Sequence, residues 1–135
     1  MHDLATDYAA RQYLQNGFNL YPLGVDLREH EVIIENELPD YMVEKGTSLF
    51  CFDAKSKSST DTFGWVNERA VVSYRKLAEQ CSVKIYLIFV QVVARKILNK
   101  SGYCSIEDGP IYKREAWDGN IVWVFGCKEG LPLTR

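Results

Sequence analysis

The chain alternates between stretches of helical period and stretches that are apolar or alternate by twos. Residues 4–18, "LATDYAARQYLQNGF", are rich in helix formers and carry apolar side chains at Leu4, Tyr8, Tyr13 and Leu14, which predicts a first helix. Asp3 stands where it can cap the start, and Gly17 suits the left-handed position after a helix end. "FNLYPL" (18–23) predicts a first strand. "EVIIENELPDYMVE" (31–44) predicts a second, bent at Pro39, whose missing N–H belongs at a bulge or a sheet edge. A turn over 44–48 leads into a third strand, "LFCFDAK" (49–55), apolar until its charged end.

"SKSSTDTF" (56–63) is a polar loop in this reading, and "GWVNERAVVSYRKLAEQC" (64–81) a second helix. Val66, Ala70, Val71, Tyr74, Leu77, Ala78 and Cys81 fall on one side of that helix, with Glu68, Arg75, Lys76 and Glu79 opposite. "VKIYLIFVQVV" (83–93) is apolar on both faces, as suits a strand in the middle of a covered sheet. A helix between two such strands suggests a crossover unit. "ARKILNK" (94–100) reads as a short helix or a loop, and residues 110–127 as a hairpin around Asp118-Gly119. The order is helix, three strands, helix, strand and a C-terminal extension: one α/β domain over 1–135 with a mixed sheet in two or three layers.

Composition changes little in this picture. At 135 residues, 47% hydrophobic and 25% charged, the chain suits one globular domain. No apolar run reaches the length of a membrane span, and the N-terminal residues lack the basic start and apolar core of a secretion signal. Cys51, Cys81, Cys104 and Cys127 form no CxxC pair, so the expectation is free thiols in a reducing, cytoplasmic setting and no zinc site. Charge is more informative. Residues 1–54 hold ten acids and three bases, a net of −7, whereas residues 55–135 hold thirteen bases and eight acids, a net of +5. Chance surface variation is one account of this. The other is an acidic, cation-binding centre with basic surface around it that meets a polyanion.

The acidic centre has a candidate. Asp53 and Lys55 are two apart on a strand and share a face, and Asp40 lies on the preceding strand within reach across the turn. Two carboxylates brought together invite a hard divalent cation such as Mg²⁺, and a lysine beside it suits phosphodiester hydrolysis. The ordinary alternative is two strands with solvated charged ends. His2 and His30 are poorly placed to serve as bases, and GxSxG, P-loop and GxGxxG patterns are absent.

"Pro39-Asp40 … Asp53-Ala54-Lys55" resembles the PD-(D/E)xK motif of the restriction-endonuclease-like nucleases. The first helix, with Asp7, Ala10, Tyr13, Leu14 and Gly17, resembles the N-terminal helix of Holliday junction resolvases and related small nucleases. The resemblance covers about residues 3–93; residues 94–135 have no counterpart in it. It implies a restriction-endonuclease-like core, a central mixed sheet flanked by helices in the order αβββαβ, here followed by a C-terminal hairpin. It further implies a Mg²⁺-dependent endodeoxyribonuclease, with Mn²⁺ able to substitute, acting as a homodimer on DNA of branched structure. Asp40, Asp53 and Lys55 would be catalytic, and Asp7, Asp40 and Asp53 would hold the metal. Asp53 and Asp7 stand where glutamate is commoner, which shortens their reach. Asp7 can equally be a surface partner of Arg11. On the second helix Glu68, Arg69 and Tyr74 are candidates for a polar residue near the site, and Lys57, Arg69, Arg75 and Lys76 for nucleic-acid contacts. Trp65, Trp117 and Trp123 can stack on bases or fill a core or interface. Other readings are a restriction-type or mobile-element endonuclease, a non-catalytic nucleic-acid-binding protein on the same fold, and an unrelated interaction domain.

Overall fold

The computed structural model describes residues 2–24, 37–58 and 61–133. Among these, two helices, α1 (His2–Gln15) and α2 (Glu68–Cys81), pack with nine strands in two sheets. The strands are β1 (Asn19–Pro22), β2 (Tyr41–Lys45), β3 (Ser48–Lys57), β4 (Phe63–Asn67), β5 (Lys84–Val93), β6 (Lys96–Ser105), β7 (Tyr112–Glu115), β8 (Ile121–Gly126) and β9 (Lys128–Glu129). The main sheet has the order β1-β2-β3-β5-β6-β9; β4, β8 and β7 form a second sheet. Among the described residues only β3 and β5 pair in parallel, which makes the main sheet mixed, with α2 in the crossover between them.

β3 alternates between two cores. Phe50, Phe52 and Ala54 face α1, where Ala5, Ala9 and Tyr13 close the first apolar cluster with Ile88 and Val90. Cys51 belongs to the second cluster, with Ala70, Val71 and Tyr74 of α2, Val66 of β4 and Trp123 and Phe125 of β8. The layers are therefore α1, the main sheet, and α2 beside the small sheet. The helical stripe differs from the expected one in phase: Leu14 is 60% exposed, whereas Ala5 and Ala9 are buried. Alanines let the helix axis approach the sheet closely, so Ala5 and Ala9, together with Tyr13 and not Leu14, mark the docking face. Gly17 ends α1 with φ +83°, as its position predicted.

Several boundaries move. The second helix begins at Glu68, and Phe63–Asn67 is a strand in which Gly64 and Val66 are buried and Phe63, Trp65 and Asn67 are not. The polar loop shortens accordingly, because Ser56 and Lys57 extend β3. Residues 94–100 are neither helix nor loop: Ala94 and Arg95, with φ of 51° and 63°, form a tight turn into β6. The second predicted strand is strand only from Tyr41, and its residues 31–36 lie outside the described residues. The C-terminal hairpin forms, and its β8 pairs with β4, so the hairpin is joined by hydrogen bonds to the strand that precedes α2.

Gly64 is where the two sheets meet. A Cβ on it would sit 2.4 Å from the ring of Phe89, so only glycine allows β4 to lie directly on β5. Phe89 is the register partner of Lys55. The contact therefore brings the small sheet up to the charged end of β3.

Candidate metal centre and its cleft

The hairpin β2–β3 sets the geometry. Its register pairs Lys45 with Ser48 and Tyr41 with Phe52, so one further step places Asp40 across from Asp53. Both carboxylates are buried, at 0% and 1% exposure. Asp40 Oδ2 accepts the Ala54 N–H at 2.9 Å and the Thr6 hydroxyl at 3.2 Å. Its backbone is strapped by the chain that leaves β1. Leu23 N–H donates to Asp40 O (3.0 Å) and Gly24 N–H to Pro39 O (2.8 Å). A Cβ on Gly24 would lie 2.7 Å from Leu38 O, so the strap requires glycine there.

Lys55 Nζ lies 3.0 Å from Asp53 Oδ2, and the lysine side chain remains one-third exposed toward a cleft of about 690 Å³. Tyr74 of α2 reaches the same place. Burial first, and then the charges on Asp53, Asp40 and Glu37, push its phenol far above the usual tyrosine range, so it stays a neutral donor beside the carboxylates. Its hydroxyl also lies 3.4 Å from Leu38 O. Tyr74 is thus the second-helix residue that meets the acids. Glu68 instead accepts the Trp123 indole N–H at 2.8 Å, and Arg69 pairs with Glu37 at 3.1 Å.

The two buried carboxylates lie side by side with the Lys55 ammonium against one of them. Paired carboxylates offer oxygen-only donors, the donor type that suits a hard divalent cation such as Mg²⁺. Asp7 does not join them. It is exposed on α1, and the side chain of that helix that meets Asp40 is Thr6. Among the described residues no three His, Cys, Asp or Glu side chains are placed to hold one metal together. Of the three expected acids the structure brings Asp40 and Asp53 together and leaves Asp7 apart from them.

The candidate nucleic-acid contacts divide. Lys57 donates to Asp61 O, Asp61 Oδ1 and Phe63 O, and so ties down the loop that leads into β4. Arg75 donates to Ile106 O and Asp108 O, both at 2.9 Å, and covers the Trp123 ring. Both side chains are thus engaged within the protein. Arg69 and Lys76 remain exposed. Trp123 is core; Trp65 and Trp117 are exposed. The features without a counterpart in the sequence pattern above are the Thr6 contact and strand β4, and the alternation in "FGWVN" was the available signal for the latter.

No helix among the described residues is long and apolar enough to cross a membrane. No protein-family model matches the chain, and no curated protein matches it by sequence. Among solved structures it is similar to Hjc of Archaeoglobus fulgidus, a Holliday junction resolvase from an archaeal hyperthermophile. The TM-score is 0.60 at 10% identity, over 89% of this chain and 85% of that one. The fold, a central mixed sheet with helices on both faces, is the fold of that resolvase.

Proposed function

We infer that the chain is a Mg²⁺-dependent endonuclease that hydrolyses DNA phosphodiesters, with branched DNA as its preferred substrate class. The observation that carries this is the convergence of buried Asp40 and Asp53 with Lys55, whose side chain opens onto a cleft, on a fold shared with a junction resolvase. Asp40 and Asp53 would hold the cation, which when bound supplies positive charge for the phosphate and a coordinated water. Thr6 and the Ala54 N–H fix the Asp40 carboxylate, and neutral Tyr74 offers its hydroxyl to Asp53 without adding charge. Lys55, at 3.0 Å from Asp53 and open to the cleft, can neutralise charge that develops on a phosphate oxygen. Mn²⁺ can take the same oxygen donors, and a homodimer would allow two cuts related by symmetry.

The test incubates the protein with a four-way junction, a matched duplex and single-stranded DNA, in Mg²⁺, Mn²⁺ or EDTA, beside Asp53→Ala and Lys55→Ala. Metal-dependent cleavage, strongest on the junction and lost in both variants, supports the reading. Sedimentation of the active species tests the dimer. A second reading, a nucleic-acid-binding protein that does not cut, is favoured by one observation: a threonine rather than an acid reaches Asp40 from α1. Tight binding to DNA with no cleavage in either metal would select it.

A further inference from the structure

The outward face of the small sheet continues the cleft that Lys55 opens onto. Residues 63, 65 and 67 alternate to that face, and the register pairs Trp65 with Val124 and Val124 with Tyr112. One row therefore holds an indole, a valine and a phenol on three neighbouring strands. The outer two are exposed, at 55% and 52%, while Val124 between them is buried. The next row has Asn67, Val122 and Arg114. Lys55, Trp65, Asn67, Tyr112, Arg114 and Val124 all line the same cleft.

We propose that Trp65 and Tyr112 form a clamp for one unpaired nucleotide of the substrate, with Val124 as its floor and Arg114 as a cation for the adjoining phosphate. The proposal rests on the nuclease reading above and deepens it by naming the feature of DNA that the cleft selects. Strands two apart are about 10 Å apart. Side chains on them that lean together reach the separation of about 7 Å, two stacking distances of about 3.4 Å, that holds one base between two rings. Aromatic faces bind any base by stacking, so the clamp selects an unpaired base rather than a sequence. The charges agree with this occupant. Both carboxylates on the cleft are paired within the protein, Glu37 with Arg69 and Asp61 with Lys57. Arg114 is exposed and meets no carboxylate among the described residues. Gly64 seats β4 on Phe89, the register partner of Lys55, so the clamp lies against the strand next to the one that carries Asp53 and Lys55.

The test measures binding in EDTA of a labelled duplex and of the same duplex with one unpaired nucleotide, 2-aminopurine, by anisotropy and by 2-aminopurine fluorescence. The intact protein should prefer the second DNA and quench its probe. Trp65→Ala and Tyr112→Ala should each weaken that preference roughly 10- to 100-fold and relieve the quenching, with little change on plain duplex. Arg114→Ala should weaken both DNAs and lower the salt slope by about one. Each side chain is half exposed, so truncation leaves the core filled, which circular dichroism verifies. If Trp65→Ala binds and quenches as the parent does while metal-dependent cleavage is intact, the clamp is wrong and the nuclease reading stands. If the variants alter only self-association, the face is an interface between copies and the clamp is again wrong. If the parent binds no DNA, both readings fall.

Discussion

Asp40 separates two roles that a buried acid can play, and substitution there can measure each. Its carboxylate is the acceptor for the Ala54 N–H and the Thr6 hydroxyl, and it is also one of two negative charges in a buried pair. Asp40→Ala removes both roles. Hydrogen bonds to a charged group contribute about 1.5–3 kcal/mol each, and the abandoned Ala54 N–H stays buried. Relief of repulsion with Asp53 offsets part of this, for a net loss of about 2–4 kcal/mol. Unfolding entropy of about 2.1 cal/mol/K per residue over 135 residues is about 0.28 kcal/mol/K, so the melting temperature should fall by roughly 10 °C. Asp40→Asn keeps an oxygen acceptor and removes the charge, so in EDTA it should stay within about 3 °C of the parent. Metal inverts this similarity. Cation at a hundred times its dissociation constant stabilises the parent by about 2.7 kcal/mol, again roughly 10 °C, and this shift should nearly vanish in Asp40→Asn. The assay is thermal denaturation in EDTA and in a Mg²⁺ or Mn²⁺ series. An Asp40→Asn protein as unstable as Asp40→Ala would refute the argument, because charge and not acceptor geometry would then hold the site together. An undiminished metal shift in Asp40→Asn would refute Asp40 as a ligand.

Three further outcomes are expected. Gly64→Ala drives a methyl group into the Phe89 ring, so it should cost about 1–3 kcal/mol in urea denaturation and reduce cleavage more than a surface change would. Tyr74 and Tyr13 have phenol pKa values raised chiefly by burial, so the folded state keeps protons that the unfolded chain sheds above about pH 10. Stability is thus full below pH 10 and falls as pH rises beyond it, by about 1.4 kcal/mol per unit for each phenol, and urea titrations of Tyr74→Phe between pH 9.5 and 11 should show a shallower fall. Arg75→Ala should lower the melting temperature, through two lost hydrogen bonds and the uncovered Trp123 ring, yet leave the salt slope of DNA binding unchanged; a slope reduced by about one would restore Arg75 as a phosphate contact.

The carboxylate pair was legible in the sequence because strand period and a short turn leave little freedom. Once residues 44–48 turn, the alternation around Asp53 and Lys55 decides which side chains meet. Helix phase has no such constraint. Thr6 and Asp7 differ by about 100° around α1, and which of them faces Asp40 depends on the face that docks, set by Ala5 and Ala9 rather than by Leu14. β4 was hidden because Val66 fits the helical stripe of α2 as well as a buried strand position. β6 was hidden because its turn uses Ala94 and Arg95 at positive φ, where sequence signals look for glycine or asparagine. The second sheet, and with it the cleft, depends on strands separated by more than fifty residues, a pairing that no local pattern announces.

The hydrogen bond from Tyr13 to Pro132 O spans 119 residues, whereas the bond from the Ala54 N–H to Asp40 spans 14. Loop closure makes short-range contacts quick to form and long-range ones slow. The two acids are therefore expected to find each other early, on the hairpin alone, and α1 to be locked over them only when the far end of the chain arrives. Pulsed hydrogen exchange during refolding should protect the Ala54 amide before those of α1. Through that interval the site is assembled without its cover, and the last turns of folding are what close it to water.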